Sequence, residues 1–274
     1  YPRHVTPYPQ RPRGIIHPVF LMKLGFSPLT AGLNYRQSFD LALELGLFLE
    51  IAYDQHEMDP RLPAARTLAE MGRAAGVGFT IHLPFVDWNM ASLVPEMRRL
   101  SLERTQRAIA FGAEIGAACG VLHTGLVPLR LPEAVAHAHQ LAREALGQLE
   151  LAIPVALENL GLSKADLLET PAELVELLQA HPRYGFCLDV GHALIQRGPS
   201  GPQEYHQLLA HRLLHLHLHD NWGDQDEHQP CGDGAVNWAW VRKILEDFGG
   251  TAALEVTGGE EGLRRSVALL RADS

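Results

Sequence analysis

Short β-type runs alternate with longer amphipathic ones along almost the whole 274-residue chain. The strand candidates are residues 22–26, 47–53, 78–82, 120–123, 154–159, 185–189, 213–218 and 252–255, each rich in branched or aromatic side chains. Between them lie helical stretches such as 95–115, 132–151, 171–181 and 238–248, several opened by Pro or followed by Gly as helix ends favour. Eight strands alternating with helices, with no break in composition, predict an α/β fold, a (β/α)8 TIM barrel in one domain spanning 22–274. The rival is a doubly wound open sheet, whose ligands collect at one topological switch point.

Charged and imidazole side chains are spaced to match that expectation. His82, His123, Glu158, Asp189, His192, His217, Asp226, His228 and Glu255 all stand at or just past the ends of the third to eighth strand candidates. They occur in TIHLPF, VLHTG, ALENL, CLDVGH, HLHLHDN, the loop after it, and ALEV. In a barrel the strand C-termini share one rim, so these residues would converge there. Imidazoles and carboxylates without thiolate suit Zn2+, Mn2+, Co2+ or Fe2+. Each has a bland reading alone: a strand-end His is more often a hydrogen-bonded core residue, and Asp189 could simply cap a helix. Together the bland reading fails, because burying several carboxylates without a cation costs several kcal/mol each. His215, His217 and His219 alternate and so point to one side of their strand. Position does not choose the ligand among them; the deepest, His215, is expected to pack inside the barrel, with His219 reaching substrate or a neighbouring carboxylate.

Composition narrows the setting. No apolar run approaches the roughly eighteen residues of a membrane span. Residues 1–21 carry five prolines and a basic bias without a signal-like apolar core, and are expected to form an N-terminal extension on the surface, with Met22 as a natural start. Three widely spaced cysteines argue against a disulfide framework and for a cytoplasmic, reducing location. A net charge of −9, with 20 arginines but only three lysines among more numerous acids, weighs against a general nucleic-acid coat.

From Met22 onward the chain resembles the xylose isomerase-like TIM barrel family, which includes sugar isomerases and epimerases and also endonuclease IV. The resemblance rests on H-x-P-F…N-x-A-S, H-T-G, E-N, D-x-G-H, H-x-x-D-N, D-x-H…G-x-G and a final E-V, in the family's order. It implies that His217, three residues before Asp220, takes the ligand role.

The two branches imply different uses of these residues. In the epimerases, Glu158, Asp189, His217 and Glu255 would hold one ion, usually Mn2+ or Co2+. Glu158 and Glu255 would be catalytic, moving a proton from opposite faces through a metal-bound enediolate. His192 would contact the substrate there, and Phe85, Trp88, His219 and Asn221 are further expected substrate contacts. In endonuclease IV, three zinc ions would be shared among His82, His123 and Glu158; Glu158, Asp189, His217 and Glu255; and His192, Asp226 and His228.

Ligand arithmetic and charge favour more than one ion, since a single ion takes about four to six ligands. Against this, LFLEIAY with Glu50 resembles the isomerase members, and the loops after the first two strands lack obvious DNA-inserting length. Phe85 and Trp88 read more readily as an apolar wall for a small substrate than as a wedge in DNA. The first expectation is therefore a metal-dependent sugar or sugar-phosphate isomerase/epimerase holding one to three Zn, Mn or Co ions. The alternative is an endonuclease IV-type trinuclear zinc phosphodiesterase acting at abasic sites, with DNA a partner only in that case. A barrel that binds without turnover is disfavoured by the Glu158 and Glu255 pair. No membrane partner is expected; similar barrels often form homodimers, although no exposed apolar helix face marks a partner surface.

Overall fold

The computed structural model describes residues 23–272 except 128, 161, 162 and 164. The N-terminal extension expected over 1–21 lies outside the described residues, as does Met22. Eight strands, β1 (Lys23–Phe26), β2 (Phe48–Ala52), β3 (Phe79–His82), β4 (Gly120–Leu122), β5 (Val155–Glu158), β6 (Gly185–Asp189), β7 (Leu213–Leu218) and β8 (Thr251–Leu254), form a closed barrel in chain order. Every neighbouring pair is parallel, and β1 closes on β8 from Lys23 opposite Thr251 to Phe26 opposite Leu254. Helices fill every crossover, as parallel pairing requires. The chain is thus a TIM barrel.

Local chemistry explains the helix ends. Asn34 with Gln37 and Thr170 with Glu173 form capping boxes at the starts of Tyr35–Leu45 and Pro171–Ala180. Pro95, Pro132 and Pro171 each open a helix where the missing N–H is not needed. The long helix Pro95–Ile115 has the expected bounds, whereas the one expected over 132–151 ends at Gln148.

The two faces of the strands do different work. Successive side chains alternate across a strand, and the outward set Leu49, Ile51, Ile81, Leu157, Leu188, Leu216 and Leu254 joins the core shared with the helices. Each such side chain, fully buried, contributes about 1.5–3 kcal/mol. The inward set includes a small separate cluster of Val121, Ala156 and Cys187, and Glu50, Thr80, His215 and His217, all buried. Gly25 makes room there: a Cβ at that position would meet the Phe48 ring at 2.3 Å. With stability supplied outside, the inner face is free to carry charge.

Loops at the C-terminal mouth are tied down by buried acids. Asp54 accepts the backbone N–H groups of Phe85 and Val86 at 2.8 and 3.2 Å and pairs with Arg104 at 2.7 Å. Arg104 in turn donates to the carbonyls of Val86 and Asp87. Among the described residues no helix is long and apolar enough to cross a membrane.

Removing the Asp54 carboxylate leaves Arg104 and two amide donors short of a partner. Asp54→Ala is expected to lower unfolding stability by about 3 kcal/mol in chemical denaturation. A loss under about 1 kcal/mol would show that Glu57, whose carboxylate lies 2.7 Å from Arg104, suffices alone for that guanidinium.

Candidate metal centre

Alternation and strand length bring the candidate ligands to one place. His82, Glu158 and Asp189 are the last residues of β3, β5 and β6; His123 and Glu255 come just after β4 and β8; His217 lies one residue inside the end of β7. His192 follows on the first turn of the helix Val190–Arg197, where Asp189 caps the helix and accepts the His192 backbone N–H at 2.7 Å. Asp226 and His228 come from the loop after β7.

Glu158 sits at the middle. Its Oε2 lies 3.2 Å from His123 Nε2 and 3.6 Å from His82 Nε2. Its Oε1 lies 3.1 Å from His217 Nδ1 and 3.2 Å from His192 Nδ1. His217 Nδ1 also faces Asp189 at 3.8 Å and Glu255 at 3.6 Å. Asp226 Oδ2 lies 3.2 Å from His228 Nε2 and 3.6 Å from His192 Nε2. All nine residues therefore belong to one continuous cluster.

Hydrogen bonds fix which imidazole nitrogen is available. His82 donates its Nδ1–H to the Leu83 carbonyl at 2.8 Å, His192 to the Asn159 carbonyl at 3.1 Å, and His228 to the Glu255 carbonyl at 2.5 Å. In each case Nε2 is left facing a carboxylate, the orientation a metal ligand needs. His228 adopts a left-handed backbone with φ of 50°, held by Thr257, whose N–H and hydroxyl both donate to its carbonyl. A non-glycine residue there carries backbone strain.

The residues fit divalent ions. Donor atoms of His82, His123 and Glu158; of Glu158, Asp189 and His192; of Asp189, His217 and Glu255; and of His192, His219, Asp226 and His228 lie within 4.8 Å of one another in each set. Glu158 Oε2 and His192 Nε2 are buried without a hydrogen-bond partner. Such atoms cost about 1–3 kcal/mol each, and a cation within these sets would satisfy both.

Protons take up part of the charge among these acids and imidazoles. Burial alone would raise the Glu158 carboxyl, but His217, His123 and His192 hold it well below the usual range. Burial opposes charging of His192 and His217 too, yet the acids around them push both well above the ordinary imidazole value. His228 rises to about 9, because Asp226 and Glu255 outweigh its burial. His123 goes the other way, with burial dominant.

Other expected site residues vary. Phe85 packs on His82 and His123, with ring centroids 4.8 and 5.7 Å away. Trp88 is buried, and its indole N–H is engaged by Thr105 at 2.9 Å. Asn221 is also buried, donating to the Gly191 carbonyl and accepting from the Gly223 N–H. His219 contacts Asp189 at 3.1 Å and stacks on His228 at 4.0 Å, so it belongs to the donor cluster. Gly191 permits this, since a Cβ there would lie 2.1 Å from the His219 ring.

Three supporting residues were not assigned from the sequence. Asn159 exchanges two hydrogen bonds of 2.9 Å with the Asp189 backbone, joining the ends of β5 and β6. Asp220 accepts from the N–H groups of Asn221, Gly232 and Val236 and from Trp238 Nε1, which organises the loop carrying Asp226 and His228. Glu50 lies under the cluster, beside His217 and His215. The E-N and H-x-x-D-N motifs carried a signal for the first two.

The family model for the xylose isomerase-like TIM barrel matches residues 39–273. The chain belongs to that family. A solved D-tagatose 3-epimerase-like protein is 25% identical over 91% of this chain and 96% of its own, with a TM-score of 0.79. A Thermus thermophilus protein, soaked with zinc chloride, is 28% identical over 92% and 97%, with a TM-score of 0.72. A probable endonuclease 4 of Mycobacterium leprae is 27% identical over 77% of this chain and 84% of its own. Relatives and structural neighbours of the family thus include both sugar epimerases and probable endonucleases.

Metal uptake must displace protons. The raised pKa of His228 means its ion pair stabilises the ion-free protein fully below about pH 6.5, an advantage lost as pH rises through about 9. The ion-free protein should therefore lose thermal stability across that window while Zn2+ affinity increases. Thermal melts and calorimetry in buffers of different ionisation enthalpy measure both; uptake without proton release would contradict the assignment. Asp220→Asn weakens the loop's anchor, and is expected to lower metal content while leaving the barrel's circular dichroism intact.

Proposed function

We propose that this family member is a divalent-metal phosphodiesterase working through a multinuclear centre, with cleavage at abasic sites in DNA the first activity to test. The observation carrying the proposal is the division of Glu158, with one oxygen towards His82 and His123 and the other towards His217. A carboxylate so divided is placed to bridge two ion positions. One ion would leave His82, His123, Asp226 and His228 without a task, because it takes about four to six ligands. Charge points the same way: Glu158, Asp189, Asp226 and Glu255 outweigh one divalent ion, whereas three would leave the mouth positive and attractive to phosphate.

Divalent ions bound here would supply Lewis acidity towards a phosphoryl oxygen and lower the pKa of water. The chain's own residues define how that chemistry is reached. Asp226, His123 and His228, with side chains 27%, 21% and 20% exposed, face the open mouth, while Asp189 and His217 are sealed. Phe85 walls the His82 and His123 side. Trp222, 65% exposed on the loop that carries Asp226 and His228, offers a stacking surface of the kind bases and sugars use. Likeness to the probable endonuclease 4 supports this reading, and likeness to the zinc-soaked Thermus protein supports the uptake of metal alone. Cys119, Cys187 and Cys231 are free and buried, which suits a reducing, cytoplasmic location.

A second reading, sugar or sugar-phosphate epimerisation, is favoured by one specific feature. Glu158 Oε1 and Glu255 Oε2 both face His217 Nδ1, at 3.1 and 3.6 Å, so two carboxylates flank one ion position as a proton-moving pair requires. The D-tagatose 3-epimerase-like neighbour supports it. In that reading Glu158, Asp189, His217 and Glu255 suffice.

His123→Ala and Asp226→Asn separate the two. For the phosphodiesterase each variant should lose metal by elemental analysis and reduce nicking of an abasic oligonucleotide at least about 100-fold. Epimerase variants of the same residues would keep solvent-deuterium exchange into a ketose, and that result would overturn the hydrolase. Glu255→Gln should abolish turnover in either case with its thermal midpoint within a few degrees of the parent.

A further inference from the structure

Below the candidate ligands, on the barrel axis, lies a carboxylate that neither reading uses. Glu50 is the third residue of β2 and is fully buried. Its Oε1 lies 3.0 Å from His217 Nε2, and its Oε2 lies 3.1 Å from His215 Nε2. Thr80, its register partner on β3, donates a hydroxyl hydrogen bond to Oε2 at 2.8 Å. His215 is held in turn by the Thr251 hydroxyl at 2.7 Å. One buried carboxylate is thus gripped from β3 and β7, and the grip passes on to β8.

We infer that Glu50 is a positioning residue for the metal centre, orienting His217 and strengthening its Nδ1 as a donor towards the ions. The inference rests on the metal-centre reading but not on the choice of substrate. It follows from a pattern in the other histidines. His82, His192 and His228 each point the nitrogen away from their candidate ion at a backbone carbonyl. At His217 the corresponding nitrogen faces Glu50 instead, while Nδ1 faces Glu158, Asp189 and Glu255. Glu50, His215 and His217 also bring donor atoms within 4.8 Å of one another, but with His217 Nδ1 turned to the ions above, the imidazole ring stands between them and Glu50, which acts on them through His217.

Its contact with His217 is a close charge pair and not an in-line hydrogen bond, so the effect is carried by charge. A carboxylate behind a ligating imidazole fixes the ring and raises its basicity. Filling the same space with an apolar side chain would cost less stability, since burying a charge costs several kcal/mol. A purely structural role therefore gives no reason for an acid at this position.

Glu50→Gln keeps the volume and removes the charge. In the full chain it should weaken Zn2+ binding by about 10- to 100-fold in chelator competition, and alter the Co2+ absorption spectrum, with a thermal midpoint within a few degrees of the parent. Zinc affinity within about twofold of the parent, with or without a stability change, would overturn the inference. Nitrogen-15 NMR of the zinc-loaded parent gives a check that needs no variant: the His217 proton should reside on Nε2. A proton on Nδ1, with Nε2 bound to zinc, would also overturn it. A parent chain that takes up no zinc would instead refute the metal-centre reading, and Glu50's role with it.

Discussion

Four carboxylates from β5, β6, the segment after β8 and the loop after β7 meet at one mouth of the barrel, most of them sealed from water. Their mutual repulsion has to be met by positive charge, and the histidines threaded between them supply it as protons when ions are absent. Glu158 is the pivot, because it is the carboxylate that touches histidines from β3, β7, the segment after β4 and the helix after β6. The cluster is cohesive only when proton or cation charge is present. That condition links folding, pH and metal uptake in this chain.

The barrel tolerates this charge because the burden of stability lies elsewhere. Leucine and isoleucine side chains on the outward strand faces bury against the helices, while the inward face holds only a small apolar cluster. A polar interior layer of Glu50, Thr80, His215 and Thr251 underlies the mouth and passes rigidity up to His217. Hydroxyls on β3 and β8 hydrogen-bond the carboxylate and His215, while the contacts of Glu50 with His215 Nε2 and His217 Nε2 are close charge pairs.

Much of this was legible in the sequence. Alternation of strand and helix predicts the barrel, and strand-end position singles out nine members of the cluster, His219 being the tenth, since strand position determines which side chains share the rim. The balance between sugar and phosphate chemistry was less accessible. It turned on whether His82 and His123 address the same Glu158 oxygen as His217, which no spacing encodes. The sequence makes Trp88 part of an apolar wall and Asn221 a candidate substrate contact, and the structure engages their polar groups with Thr105, Gly191 and Gly223. Linear proximity does not reveal whether a side chain turns towards the axis or into the helical shell. Glu50 was noticed as an acid typical of the isomerase branch, but its partners lie on β3 and β7, and only closure of the barrel joins them.

The donor sets also differ in how they are built. His82, Glu158, Asp189 and His217 are strand residues, as rigid as the barrel itself. Asp226 and His228 depend on a loop shaped by Asp220, and His228 on a left-handed backbone pinned by Thr257. Sites on regular elements are more precise than sites on loops, so the strand-borne donors form the more rigid part of the cluster. The loop-borne pair is the part that a change in one turn could remove or move. A family whose relatives range over epimerases and probable endonucleases can vary in this way without disturbing the barrel. In this chain the loop is anchored at four donors to a single buried aspartate, a cost in buried charge that makes physical sense when Asp226 and His228 must be held in place within the cluster.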